Sequence, residues 1–144
     1  MSIKQISVFL ENKPNTLQTM CEALAEGHID MRALSLAEAG DFGIARIIVD
    51  KLYEATQLLK DAGFVCTVTP VVAAQIPDTP GGLGKVLAGI GAVGINVDYM
   101  YAFLGGSEAE HAYMIFKTAD AAKAAAALSA KGINVLDQED IEAL

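Results

Sequence analysis

Several residue types that chemistry commonly relies on are scarce in this chain. There is no tryptophan, and only two histidines, two cysteines and four prolines among 144 residues. His28 and His111 lie far apart, with no Cys or carboxylate cluster in metal-ligand spacing around either, which argues against a histidine-based metal or catalytic centre. Cys21 and Cys66 belong to no CxxC pair and are expected as buried, reduced packing residues. Basic residues are also few: ten Lys and Arg against eighteen Asp and Glu, a net charge of −8. Residues 1–72 hold six basic and nine acidic side chains and residues 73–144 hold four and nine, so neither half carries a basic stripe. A nucleic-acid partner is therefore not expected. No apolar run is long enough to span a bilayer, because the longest, from Val86 to Val97, is broken by glycines. The start, Met1-Ser2-Ile3-Lys4, lacks the apolar core of a signal peptide, and the expectation is a soluble cytoplasmic protein.

What the chain does have is a repeat. Lys13-Pro14-Asn15-Thr16-Leu17 returns as Thr79-Pro80-Gly81-Gly82-Leu83, and Ile29-Asp30-Met31 returns as Ile95-Asn96-Val97, both at a spacing of 66. Gly63-Phe64-Val65 aligns with Gly132-Ile133-Asn134 at 69. A period this long exceeds a solenoid unit and suits a small duplicated domain. The division expected is 1–70 and 71–144. Each half is near the lower size for a self-sufficient core, so the halves are expected to pack rigidly together and the chain to form a homodimer.

Periodicity sets the elements. Ile6, Val8 and Leu10 alternate as in a half-buried strand. Asn12 to Thr16 is a turn with cap-type residues, and Leu17, Met20, Cys21, Leu24 and Ala25 then form one helical stripe ending at Gly27. Strands over Met31–Ala37 and Ile44–Val49 flank the turn Gly40–Gly43. A second helix carries Leu52, Ala55, Leu59 and Ala62, and Phe64–Val72 is again a strand. The second half repeats this order: a helix striped by Leu83, Val86, Leu87 and Ile90, a hairpin of 95–104 and 111–117, a helix over 119–131 and a strand over 133–136. An acidic stretch closes the chain. The order βαββαβ predicts an α+β fold of two ferredoxin-like units side by side, antiparallel sheets with helices on one face.

Gly81-Gly82-Leu83-Gly84-Lys85 fails as a phosphate loop, since Thr79 stands where the first glycine belongs and Val86 follows Lys85. Neither a nucleophile elbow nor a serine–histidine pair is present. The remaining candidate is the turn that opens each half's first helix. A helix N-terminus offers unpaired N–H groups and partial positive charge, and a glycine-bearing turn lets a small carboxylate come close. Turn and cap chemistry alone would explain the same residues.

Glu11-Asn12-Lys13-Pro14-Asn15 resembles the E-N-x-P-G turn of ACT domains, and Gly27-His28-Ile29-Asp30 resembles the G-x-x-N start of their second strand. Asp78-Thr79-Pro80-Gly81-Gly82-Leu83 and Gly94-Ile95-Asn96 resemble the same elements, so two copies cover nearly the whole chain. The resemblance implies a non-catalytic regulatory module that binds an amino acid, with no cofactor or metal. It implies binding positions at Asn12 and Asp78 in the loops and Asp30 and Asn96 in the strands. Pro14, Asn15, Thr16 and Leu17, with Pro80, Gly81, Gly82 and Leu83, complete the loops. If each loop faces the other half's strand, Asn12 pairs with Asn96 and Asp78 with Asp30. An amide pair suits a zwitterion, whereas a carboxylate pair favours a cation. Asn15 replaces the expected glycine, but asparagine tolerates positive φ. Ser35, Asp41, Phe42, Tyr99 and Tyr101 are secondary candidates. With no attached output domain, such a sensor would act in trans on an enzyme. The alternatives are a protein-interaction module without ligand and an enzyme using Asp30 and Asp78.

Overall fold

In the computed structural model, residues 2–103 and 111–144 are described. They fall into two compact units, Lys4–Thr69 and Pro70–Leu144, the latter grouped with Met1–Ile3. Residues 104–110, among them Leu104 of the expected strand, lie outside the described residues.

The first unit contains β1 (Ile3–Glu11), α1 (Thr16–Glu26), β2 (Met31–Ala39), β3 (Phe42–Val49) and α2 (Leu52–Asp61), and the start of β4 (Val65–Pro77). Its strand order is β2-β3-β1-β4, with β3 antiparallel to both β2 and β1. Alternate sheet residues Ile6, Val8, Leu10, Ala45, Ile47 and Val49 meet Met20 and Leu24 of α1 and Ala55 and Leu59 of α2 in one core. Both helices therefore cover one face, as a period-2 sheet and a 3.6-period helix require when each has a single apolar side.

The second unit repeats the plan from the rest of β4 through α3 (Gly82–Gly91), β5 (Val97–Ala102), β6 (His111–Thr118), α4 (Ala121–Ala130) and β7 (Asn134–Leu136). β4 lies between β6 and β7, and β5 pairs with β6, all antiparallel. Val72, Ala74, Ile76, Val86, Ile90, Phe116 and Leu128 occupy positions in its core that mirror the first. The α+β, βαββαβ expectation holds in each unit.

Three details depart from the sequence reading. β4 is one strand of 13 residues that runs on to Pro77, past the end of the strand expected over Phe64–Val72. The acidic end is not featureless: α5 (Gln138–Ala143) forms there, opened by a capping box in which Asp137 and Asp140 each accept from the other's backbone N–H. Cys21 and Cys66 are half-buried and pack at the margin of the first core rather than within it.

His28 receives a conformational explanation. It has φ 55°, and its repeat counterpart Gly94 has φ 75°. Both end a helix in the left-handed turn, with Ile29 N–H donating to Leu24 O at 2.9 Å and Ile95 N–H to Ile90 O at 3.3 Å. His28 thus fills a glycine-type backbone position and is exposed. Among the described residues no helix is long and apolar enough to cross a membrane, and no group of three or more His, Cys, Asp or Glu could hold a metal ion.

Because Leu59 is fully buried between α2 and the sheet, Leu59→Ala should lower stability by about 2–5 kcal/mol in urea unfolding. Tyr53→Ala on the same helix, at a side chain 73% exposed, should change it by less than about 0.5 kcal/mol. Similar losses for both would contradict the core assignment.

Candidate functional site

The candidate loop of the first unit begins where β1 runs out at Glu11. Its next residue is tied to the β2–β3 turn twice: Asn12 N–H donates to Asp41 O at 2.8 Å and Asn12 Nδ2 to Gly40 O at 3.0 Å. Thr16 Oγ1 then donates to Glu11 O at 2.7 Å, which closes the loop on itself. Between them Asn15 opens α1 with φ 75° and ψ −5°. Gly81 opens α3 with φ 85° and ψ −4°. Asparagine therefore adopts the glycine conformation, and the two entrances share one backbone shape.

The two copies satisfy that shape differently. In the second, Gly82 takes the place of Thr16 and lies so near the preceding strand that a Cβ would sit 2.3 Å from Pro77 O. Where the first copy closes its loop through a hydroxyl, the second does so by close backbone approach.

Electrostatically the two entrances stand out from the other helix starts. α1 and α3 have no side-chain cap and no acidic residue in the first turn. By contrast, α4 is capped by Asp120, α5 by Asp137, and α2 carries Glu54 in its first turn. The first turns of the two repeat-related helices thus carry no negative side chain of their own to offset the partial positive charge there.

Two cavities flank the first loop. One, of about 290 Å³, is walled by Asn12, Leu17, Leu36, Glu38 and Gly43. The other, of about 440 Å³, is walled by Phe9, Phe42, Phe64, Val65 and Thr19. Leu10, Glu11, Lys13 and Thr16 border both. Sequence reasoning named Asn12, Thr16, Leu17 and, as a secondary candidate, Phe42. It missed Phe9 and Leu36, although both carry a visible signal as large apolar residues on exposed strand positions.

The remaining candidates are placed as follows. Pro14, Asn15, Pro80 and Gly81 are exposed, Gly82 is buried, and Leu17 and Leu83 are half-buried against the two cores. Asp78 is exposed, with no side-chain hydrogen bond among the described residues. Asp30 is exposed at the start of β2, where its carboxylate is engaged by Arg32 and its N–H donates to Asp50 Oδ1 at 3.0 Å. Asn96 Nδ2 donates to Asp98 Oδ1 at 3.4 Å, and Asp98 in turn meets Lys117 at 3.4 Å.

Neither unit brings its own loop and strand positions together. Asn12 is held at the turn that ends β2, and Asp30 precedes that strand's start. Asp78 follows the Pro77–His111 pair, and Asn96 precedes the Val97–Thr118 pair at the opposite end of β6. Of the secondary candidates, Ser35 pairs with Arg46 across the sheet, Asp41 is exposed, Tyr99 is half-buried and Tyr101 is buried.

Comparison with known proteins adds the following. A family model describing an ACT domain pair matches residues 1–144. The crystal structure of protein BT0572 from Bacteroides thetaiotaomicron is 36% identical, with a TM-score of 0.91, and the match covers 100% of this chain and 98% of that one. The regulatory subunit of aspartate kinase from Thermus thermophilus, in its ligand-free form, is 18% identical with a TM-score of 0.66, covering 88% of this chain and 91% of that one. The corresponding subunit from Thermus flavus is 18% identical with a TM-score of 0.61, covering 88% and 90%. No curated protein matches.

The αL entrance makes a direct prediction. Asn15→Gly should leave stability within about 0.5 kcal/mol, whereas Asn15→Val should cost about 1–2 kcal/mol, because a β-branched residue resists positive φ. Equal denaturation midpoints for the two variants would show that the left-handed entrance does not constrain this loop.

Proposed function

Since the chain belongs to the ACT domain pair family, we propose that it is a non-catalytic regulatory protein that binds a free amino acid at its helix-opening loops. The observation that carries this reading is the shared state of α1 and α3. Both start from a left-handed residue, with neither a side-chain cap nor an acidic first turn. An α-carboxylate supplies what both entrances lack, a negative group that accepts from first-turn N–H donors.

We assign Asn12, Pro14, Asn15, Thr16 and Leu17 to the first site, and Asp78, Pro80, Gly81, Gly82 and Leu83 to the second. Asn96 and Asp30 remain the second contacts that the family resemblance implies. Their local chemistry differs: Asp30 already has Arg32 as counter-ion, which reduces its pull on a ligand ammonium, while Asn96 is held only through its amide. The amide pair Asn12 and Asn96 is therefore our preferred site. The copies would be ACT domains of residues 1–70 and 71–144. The protein would act in the cytoplasm as a homodimer and pass its signal in trans to an enzyme. The Thermus proteins of the same fold are regulatory subunits of a kinase, which makes an amino-acid-pathway enzyme a sensible partner. Differential affinity of the ligand for two arrangements would carry the signal.

One observation favours the competing reading of a ligand-free interaction module: the Asn12 carboxamide already donates to Gly40 O. A thermal-shift series with each proteinogenic amino acid separates the two. At a hundredfold excess over its Kd, a ligand should stabilise by about 2.7 kcal/mol, a shift of several degrees. That shift should vanish in Asn12→Ala and survive in Asp78→Ala. No shift with any amino acid, together with a stable complex with an enzyme, would replace the sensor by the interaction module.

A further inference from the structure

The first copy bears an apolar recess, and at two of the positions that line it the second copy carries polar side chains. Phe9 is 41% exposed, Phe42 58% and Val65 67%, and all three line the cavity of about 440 Å³ together with Phe64. Phe9 and Val65 correspond, by the spacings of 66 and 69, to Gln75 and Asn134. Those two face each other across β4 and β7, and Asn134 Nδ2 donates to Gln75 Oε1 at 2.8 Å. The same two backbone positions thus accept a polar pair that satisfies itself. Keeping a phenylalanine and a valine there instead leaves apolar surface in water, a pattern that marks a binding surface when it gathers in a concavity. On the rim, Lys13 Nζ meets Glu11 Oε2 at 2.8 Å, with the side chains 61% and 69% exposed. An exposed pair of this kind contributes little and is readily exchanged for other partners.

We propose that this recess binds an amino acid with a planar aromatic side chain. The ring lies among Phe9, Phe42 and Phe64, where offset and edge-on contacts favour an aromatic over an aliphatic side chain of equal size. The ammonium and carboxylate exchange with the Glu11–Lys13 pair, so a zwitterion matches the rim in charge. The volume falls within the range of small-molecule sites. This inference deepens the function proposed above and rests on it in part, since Thr16 of the first site also borders the recess, whereas Asn12 and Asn96 do not.

The absence of tryptophan from the chain makes L-tryptophan its own reporter. Titrating the full chain into L-tryptophan should give a saturable rise in fluorescence anisotropy, reversed by L-phenylalanine and not by L-alanine. The double substitution F9Q/V65N installs the second copy's pair and should weaken binding at least tenfold. F42A, at a largely exposed side chain, should weaken it several-fold with an unchanged unfolding midpoint. Y53A, at an exposed side chain of α2 that lines neither cavity, should leave it unaltered. The proposal is overturned if the wild type shows no saturable binding, or if F9Q/V65N and F42A both bind as the wild type does. It is equally overturned if N96A abolishes binding while the recess variants keep it, because the aromatic ligand then sits at the amide site. A wild type that ignores tryptophan but forms a dimer that F9Q/V65N dissociates would place a second copy on the patch instead.

Discussion

A strand that must turn back as a helix over its own sheet within four residues needs a sharp change of direction, and a left-handed residue supplies it. Asn15 and Gly81 meet that steric requirement with nearly the same φ and ψ. The consequence is both architectural and electrostatic. The turn sets the first helix of each unit on the core face, and the residue in the N-cap place makes no side-chain cap bond. Fold and candidate function therefore share one backbone constraint. The two loops accordingly carry the two residue types that accept positive φ most easily.

Around that shared backbone the copies have diverged in chemistry. Thr16 closes one loop with a hydroxyl, and Gly82 closes the other by proximity. Val49 at the end of β3 is a core residue, while its counterpart Thr118 buries a hydroxyl that has no partner among the described residues. Such a group costs stability that a valine would not. Phe9 and Val65 against Gln75 and Asn134 show the reverse exchange, apolar surface exposed where the sister copy is polar. Duplication supplies two scaffolds, and only the parts that do not set the backbone are free to specialise.

Much of this was legible in the sequence because it depends on local patterns. The alternation of Ile6, Val8 and Leu10 and the stripe from Leu17 to Leu24 report burial directly, and the repeat doubles each signal. Asn15 could be placed in the left-handed region because its counterpart is glycine. Other features depended on contacts that pattern does not encode. The Asn12 carboxamide is committed to Gly40, 28 residues away, and Asp30 is neutralised by Arg32, two residues along on a strand whose register shifts beside it. α5 escaped because six residues carry too little periodicity, although Asp137 and Asp140 stand at capping-box spacing. Phe9 escaped because a single apolar residue out of phase reads as noise until the cavity beside it is known.

In the function proposed above, the uncapped, left-handed helix entrances are where a ligand carboxylate is held. Amide chemical shifts of the 15N-labelled chain, followed during titration with the amino acid that stabilises it most, test this directly. The account predicts the largest shifts at the backbone N–H groups of 16–18, at the Asn12 side chain and at Asn96. Saturating binding that leaves those amides unmoved, with the shifts clustered elsewhere, would contradict it.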